Sequence, residues 1–128
     1  MDKNTEEMFV KKFIDKNKRN RVIYELFNIE KRGDSIRKIP SILSHNFKEA
    51  SFKSDEDIYK YLLIGKVMSP IYVISDDEKI DGQFVHPEKA LNHTLFGGGT
   101  YILLFNHAIF IKEEIGYGSP KYIIFVDK

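Results

Sequence analysis

The chain predicts an α+β fold, with N-terminal helices packed on a small antiparallel sheet of three or four strands. Three observations predict it. Apolar residues in the first half recur four apart, the spacing of one helix face. The second half holds short runs rich in β-branched and aromatic residues, separated by turn chemistry. Helical and strand-like segments are grouped in separate halves instead of alternating, which favours α+β over α/β. With 128 residues we expect a single domain over 1–128. Residues 1–66 would be its mainly helical part, and 67–128 its mainly strand part with one short helix.

The elements follow in order. In "NTEEMFVKKFIDKNKRNRVIYELFNIEKRG", Phe9/Phe13, Val10/Ile14, Val22/Leu26 and Ile23/Phe27 are each four apart. Asn4 or Thr5 can cap the start, with Glu6 and Glu7 in the first turn. The segment is either one helix or two broken near Asn17–Asn20. Gly33 is placed to end it as a left-handed residue past the C-terminus. "IPSILSH" allows a helical turn from Pro40. Ser54 caps a further helix through "IYKYLLI", which Gly65 stops. "PIYVIS" (70–75) reads as a strand, and Asp81-Gly82 as a turn. "HPEKALNHTLF" is a short helix with Pro87 in its first position. "TYILLF", "AIFIKEE" and "KYIIFV" are strands, joined by turns at Asn106-His107 and "GYGSP".

These last strands are apolar at nearly every position. A sheet with one wet face alternates apolar and polar residues. Both faces are therefore expected to be covered, one by the helices and the other by a further helix, a second subunit or a partner.

Composition excludes several classes. There is no cysteine, hence no disulfide frame and no thiolate zinc site. The acidic start "MDKNTEEMFV" has no signal-peptide core. The charge-free stretch Ala90–Ile111 is interrupted by three Gly, two Asn and two His, which argues against a membrane span. A cytoplasmic protein is expected. Net charge is +1 but unevenly placed: residues 1–64 carry 14 basic and 11 acidic groups, residues 65–128 carry 6 and 8.

Motifs with possible chemistry are few. Gly97-Gly98-Gly99 follows a helix and precedes a strand. Phosphate cradles have the reverse order, with glycines leading into a helix N-terminus, so a helix C-cap and a step into a strand is the better reading. "RGDS" (32–35) fits a helix boundary better than an adhesion site. Asp77–Glu88 has EF-hand spacing at its first, fifth, sixth, eighth and twelfth positions, but Lys79 stands where an oxygen ligand belongs and a strand precedes it. No metal or cofactor is expected. His86, His93 and His107, with Thr100, are the candidate catalytic groups if the chain is an enzyme acting on nucleotides or RNA. Lys11, Lys12, Lys18, Arg19 and Arg21 are the candidates for nucleic-acid contact. Asp76, Asp77, Glu78, Asp81, Glu113 and Glu114 could form an acidic patch for a basic protein partner.

The succession "KRNRVIYELFNIEKR", "YVISDDEKIDG", "EKAL" and "GGGTYI" resembles a group of small uncharacterised bacterial proteins. The resemblance covers about two thirds of the chain. It implies a bacterial source and carries over no catalytic residue. "LLFNHAIFIKEE" departs from that pattern, which has a turn richer in Pro and Gly. The leading functional expectation is a small bacterial interaction protein, of the immunity, antitoxin or defence-system kind. Its partner would be a protein, a basic toxin among the options, or a second copy of the chain. An RNA-acting enzyme and an RNA-binding module are the alternatives.

Overall fold

The computed structural model describes residues 1–43, 48–51, 70–105, 108–113 and 121–126. Helices α1 (Lys3–Phe13), α2 (Arg19–Leu26) and α3 (Arg32–Lys38) come first, with short 3-10 turns at Lys16–Lys18 and Ile39–Ser41. Strands β1 (Lys48–Ser51), β2 (Ile71–Ser75) and β3 (Gln83–Val85) precede α4 (Pro87–Phe96). Strands β4 (Tyr101–Phe105), β5 (Ala108–Glu113) and β6 (Lys121–Val126) complete the chain.

The class is α+β, with the helices on an antiparallel sheet. The sheet is larger than expected: six strands in the order β1-β6-β5-β4-β2-β3, every pair antiparallel. The two additional strands, β1 and β3, are its ends. β1 lies inside the segment expected to be helical.

The helical layer departs from expectation at its boundaries. Asp2, not Asn4 or Thr5, caps α1, its carboxylate accepting from the Thr5 N–H at 3.0 Å. The break between α1 and α2 falls at Ile14–Lys18, where an isolated bridge joins Ile14 to Leu43. Gly33 ends nothing; it lies within α3. The preceding helix stops at Leu26, and the chain turns through Phe27–Lys31 before α3 starts. The helix predicted from Ser54 and the turns at 106–107 and 116–120 lie outside the described residues.

Register explains the continuous apolarity of the strands. Tyr72, Ile74, Ile102, Ile109 and Ile111 share one face, packed with Phe9, Phe13, Val22, Leu26, Ile36 and Ile39 of the helical layer. Ile71, Val73, Leu103 and Phe110 share the opposite face and are equally buried. There α4, with Ala90 and Leu91 buried, packs on β2. At the described residues of β2, β4 and β5 both faces are covered, as expected, and the covering comes from the chain itself. A second subunit is not needed to account for this apolarity. No helix among the described residues is long and apolar enough to cross a membrane.

Candidate functional site

An ionic network lies between the helices and β2. Arg32 enters it from the start of α3. Its Nη1 and Nη2 donate to the two Glu6 carboxylate oxygens at 2.6 and 2.8 Å. Its Nε and Nη2 donate to Asp81 at 2.6 and 2.8 Å, and Nη1 also donates to the Leu26 carbonyl at 3.0 Å. Glu6 is 0% exposed, and the Tyr72 hydroxyl donates to its Oε2. Burial alone would lower the pKa of Arg32, but its hydrogen bonds to Asp81 and Glu6 outweigh that and hold it above its ordinary value. Burial, reinforced by Glu6, raises the Tyr72 phenol above its usual range. Two carboxylates on one guanidinium use the planar fork that distinguishes Arg from Lys. Every donor has its acceptor, so the arrangement is a tie between α1, α3 and the β2–β3 turn.

A second polar cluster surrounds the glycines. Asp76 accepts from the Thr100 N–H at 2.8 Å and from Arg37 Nη1 at 3.3 Å; Arg37 also donates to Asp34. Asp77 accepts from the Tyr101 hydroxyl at 2.9 Å and from the Lys79 N–H at 3.1 Å. Burial, then the Asp77 hydrogen bond, raises the pKa of Tyr101. Lys112, 2% exposed, donates to the Gly97 carbonyl at 2.7 Å, placing a cation at the negative end of α4.

The glycine step follows from this crowding. Gly97 closes α4, its N–H bonding the His93 carbonyl at 2.8 Å. Its φ is −81°, not the left-handed value that a C′ glycine suggests. The restriction is space: a Cβ there would overlap the Tyr101 hydroxyl and the His93 carbonyl, and one at Gly99 would overlap the Asp76 carboxylate. Among the described residues the positive-φ glycine is Gly82, at 71°, in the Asp81-Gly82 turn.

The candidate catalytic residues are not brought into one group. His86 is exposed at the start of α4, where its Nδ1 accepts from the Glu88 N–H at 3.3 Å. His93 is seven residues further along the same helix, a rise of roughly 10 Å. That exceeds the reach of a hydrogen-bonded acid–base pair. Thr100 is buried and meets Asp76 and Ser75 through its backbone. His107 lies outside the described residues. Among the described residues no group of three His, Cys, Asp or Glu is disposed to hold a metal ion. The Asp77–Glu88 stretch forms a hairpin turn, β3 and the start of α4, not a helix–loop–helix.

The candidate acidic patch is largely turned inward. Asp76, Asp77 and Asp81 serve the two networks above, Glu78 is exposed, Glu113 is half-buried on β5, and Glu114 lies outside the described residues. The basic candidates Lys11, Lys12, Lys18 and Arg21 are exposed. Arg19 differs: its Nε donates to the Ile14 carbonyl at 3.0 Å and holds the α1–α2 corner.

Sequence reasoning missed a surface at the end of the sheet. β3 is the terminal strand and pairs with β2. Phe84 stands on it 55% exposed, its ring edge-on to Tyr72 at 4.8 Å. Met1, 58% exposed, is close to the same hairpin: a Cβ on Gly82 would be 3.2 Å from its Cα. The legible signal was the Asp81-Gly82 turn, since a strand leading into such a turn implies one leaving it. Comparison with protein-family models, curated proteins and solved structures finds no match to this chain.

Proposed function

We propose that this chain is a small interaction protein, of the immunity or antitoxin kind, which acts by binding a protein partner. The observation that carries the reading is the apolar edge at β3, where Phe84 is exposed on a terminal strand and the exposed Met1 lies close to the same hairpin. Terminal strands offer unpaired backbone groups to a second chain, and an exposed aromatic beside one supplies an anchor.

The ionisable interior supports binding over reaction. Its carboxylates, guanidinium and phenols are joined to each other, and no buried side-chain nitrogen or oxygen among the described residues lacks a hydrogen-bond partner. A general acid or base has to face a substrate, whereas these groups face one another. Because Asp76, Asp77 and Asp81 are engaged internally, the contact rests on apolar and backbone groups at β3 more than on an acidic patch.

The test is copurification from the source bacterium with tagged wild-type chain and with Phe84→Lys. The reading expects a protein retained by the wild type at both low and high salt and lost with the variant. Equal retention by both, or no specific protein with either, overturns it. Circular dichroism of the variant checks that the fold is kept.

A further inference from the structure

We propose that Asp81-Gly82 is a latent modification site: a peptide link that rearranges to isoaspartate when the β2–β3 turn opens, and that Arg32 holds shut while the turn is closed. The proposal goes beyond the protein-binding reading and does not depend on it.

The sequence supplies the reactive pair. Asp81-Gly82 is the one Asp-Gly step in the chain, and no Asn-Gly step is present. Glycine has no Cβ to shield its backbone nitrogen, so that nitrogen can attack the side-chain carbon Cγ of the preceding aspartic acid. The N–Cγ bond forms and a Cγ–O bond breaks. The departing oxygen leaves as water, taking up the amide proton. Hydrolysis of the resulting succinimide ring adds one water back. Opening at Cγ restores aspartate. Opening at the Asp81 backbone carbonyl leaves the chain running through Cβ and Cγ, which is isoaspartate. Water is the only co-reactant, and nothing is oxidised or reduced.

The fold restrains both reacting groups. The nucleophile is engaged: the Gly82 N–H donates to the Val73 carbonyl at 2.8 Å. The electrophile is clamped by both its oxygens. Asp81 Oδ2 accepts from Arg32 Nε at 2.6 Å, and Oδ1 accepts from Arg32 Nη2 at 2.8 Å and from the Ser75 N–H at 3.0 Å. A carboxylate gripped in this bidentate way cannot swing its carbon towards the next nitrogen. Yet the pair lies at the surface, with the Asp81 side chain 19% exposed and Gly82 half-buried. Local opening of the turn therefore frees both groups and admits water, while the helices and the rest of the sheet stay folded.

The product does not fit back. Isoaspartate inserts one further carbon into the backbone between β2 and β3 and shortens the arm that carries the carboxylate. Arg32 then loses the two oxygens it grips, and the Gly82–Val73 hydrogen bond loses its spacing. The change marks chains whose turn has opened and keeps that turn from closing as before.

The test is incubation of the full chain at neutral pH, followed by peptide mapping. A protease that cuts before aspartate but not before isoaspartate reads residue 81 directly. The wild type should form isoaspartate at 81 far more slowly when folded than in urea. Arg32→Met should form it roughly 100-fold faster than the folded wild type, with the unfolded rate as the ceiling, because losing one member of a buried ionic group shifts the closed state by that order. Leu91→Ala is the comparison: it removes a buried contact on the other face of the sheet and leaves Arg32 and Asp81 in place. At equal unfolding free energy, matched with urea, it should react more slowly than Arg32→Met. Three results overturn the proposal: equal rates for the wild type folded and in urea, equal rates for Arg32→Met and Leu91→Ala at matched stability, or isoaspartate confined to other positions. The first comparison needs no variant to fold. Phe84→Lys should react as the wild type does, so failure of the β3 reading leaves this one standing.

Discussion

Arg32 is the residue on which the helical layer and the sheet meet. Glu6, Tyr72 and Asp81 come from three distant parts of the chain, and only folding brings them to one guanidinium. None of this was legible: Glu6 reads as a first-turn helix carboxylate, Arg32 as part of "RGDS", and Asp81 as a turn residue. Each local reading is reasonable, and the pairing is a tertiary fact. Removing one member of a buried ionic group leaves the others desolvated and unpaired, which costs about 3–5 kcal/mol. Arg32→Met is accordingly expected to lower the unfolding free energy by about that amount in urea titration, because it strands Glu6 at 0% exposure. Adding Glu6→Gln to that variant should recover part of the loss. A loss below about 1 kcal/mol for Arg32→Met would mean that the network contributes little.

At the scale of elements, periodicity and turn residues found most of what is present. β2, β4, β5, β6 and α4 follow the expected segments closely. β1 was illegible because "KEAS" contains residues depleted in strands; pairing with β6 imposes its conformation. Gly33 misled because glycine inside a helix is disfavoured and usually marks an end. Gly97 was placed correctly as a cap, for a different reason than backbone freedom. Its φ of −81° is open to any residue, so the requirement is steric. Gly97→Ala should destabilise the chain by roughly 1–3 kcal/mol, the range for overpacking. Tyr101→Phe should relieve part of that, since it removes the hydroxyl that a Cβ would overlap most; the ring Cζ and the His93 carbonyl remain. Thermal denaturation of the single and double variants measures both effects. The β3 edge was not visible as a surface, because three residues carry too little pattern.

For the molecule as a whole, the two-sided apolarity of β2, β4 and β5 is answered within one chain: the N-terminal helices pack on one face, and the described residues of the other are buried too, with α4 against β2. The buried phenols give that whole a pH dependence. Tyr72 and Tyr101 both have pKa values raised above the ordinary 10, first by burial and then by a carboxylate acceptor. The folded state thus favours their protonated form. Their contribution to stability is complete below pH about 10, the unfolded value, and is lost as pH rises towards the higher folded values. Urea midpoints should show no loss from this source between pH 7 and 9 and a decline above about 10. The decline should be shallower in Tyr72→Phe/Tyr101→Phe. An unchanged alkaline slope in that double variant would show that other groups set it.

The pairing of Lys48 with Val126 also sets an order of events on the ribosome. β1 is synthesised long before β6, and at about 5–20 residues per second it waits several seconds for its neighbour. Until then its hydrogen-bonding edge is unclaimed, and β5 has a neighbour on one side only. A chain cut short before residue 121 never passes this stage. Such a fragment would keep an open, greasy flank, prone to clumping and attractive to chaperones and proteases.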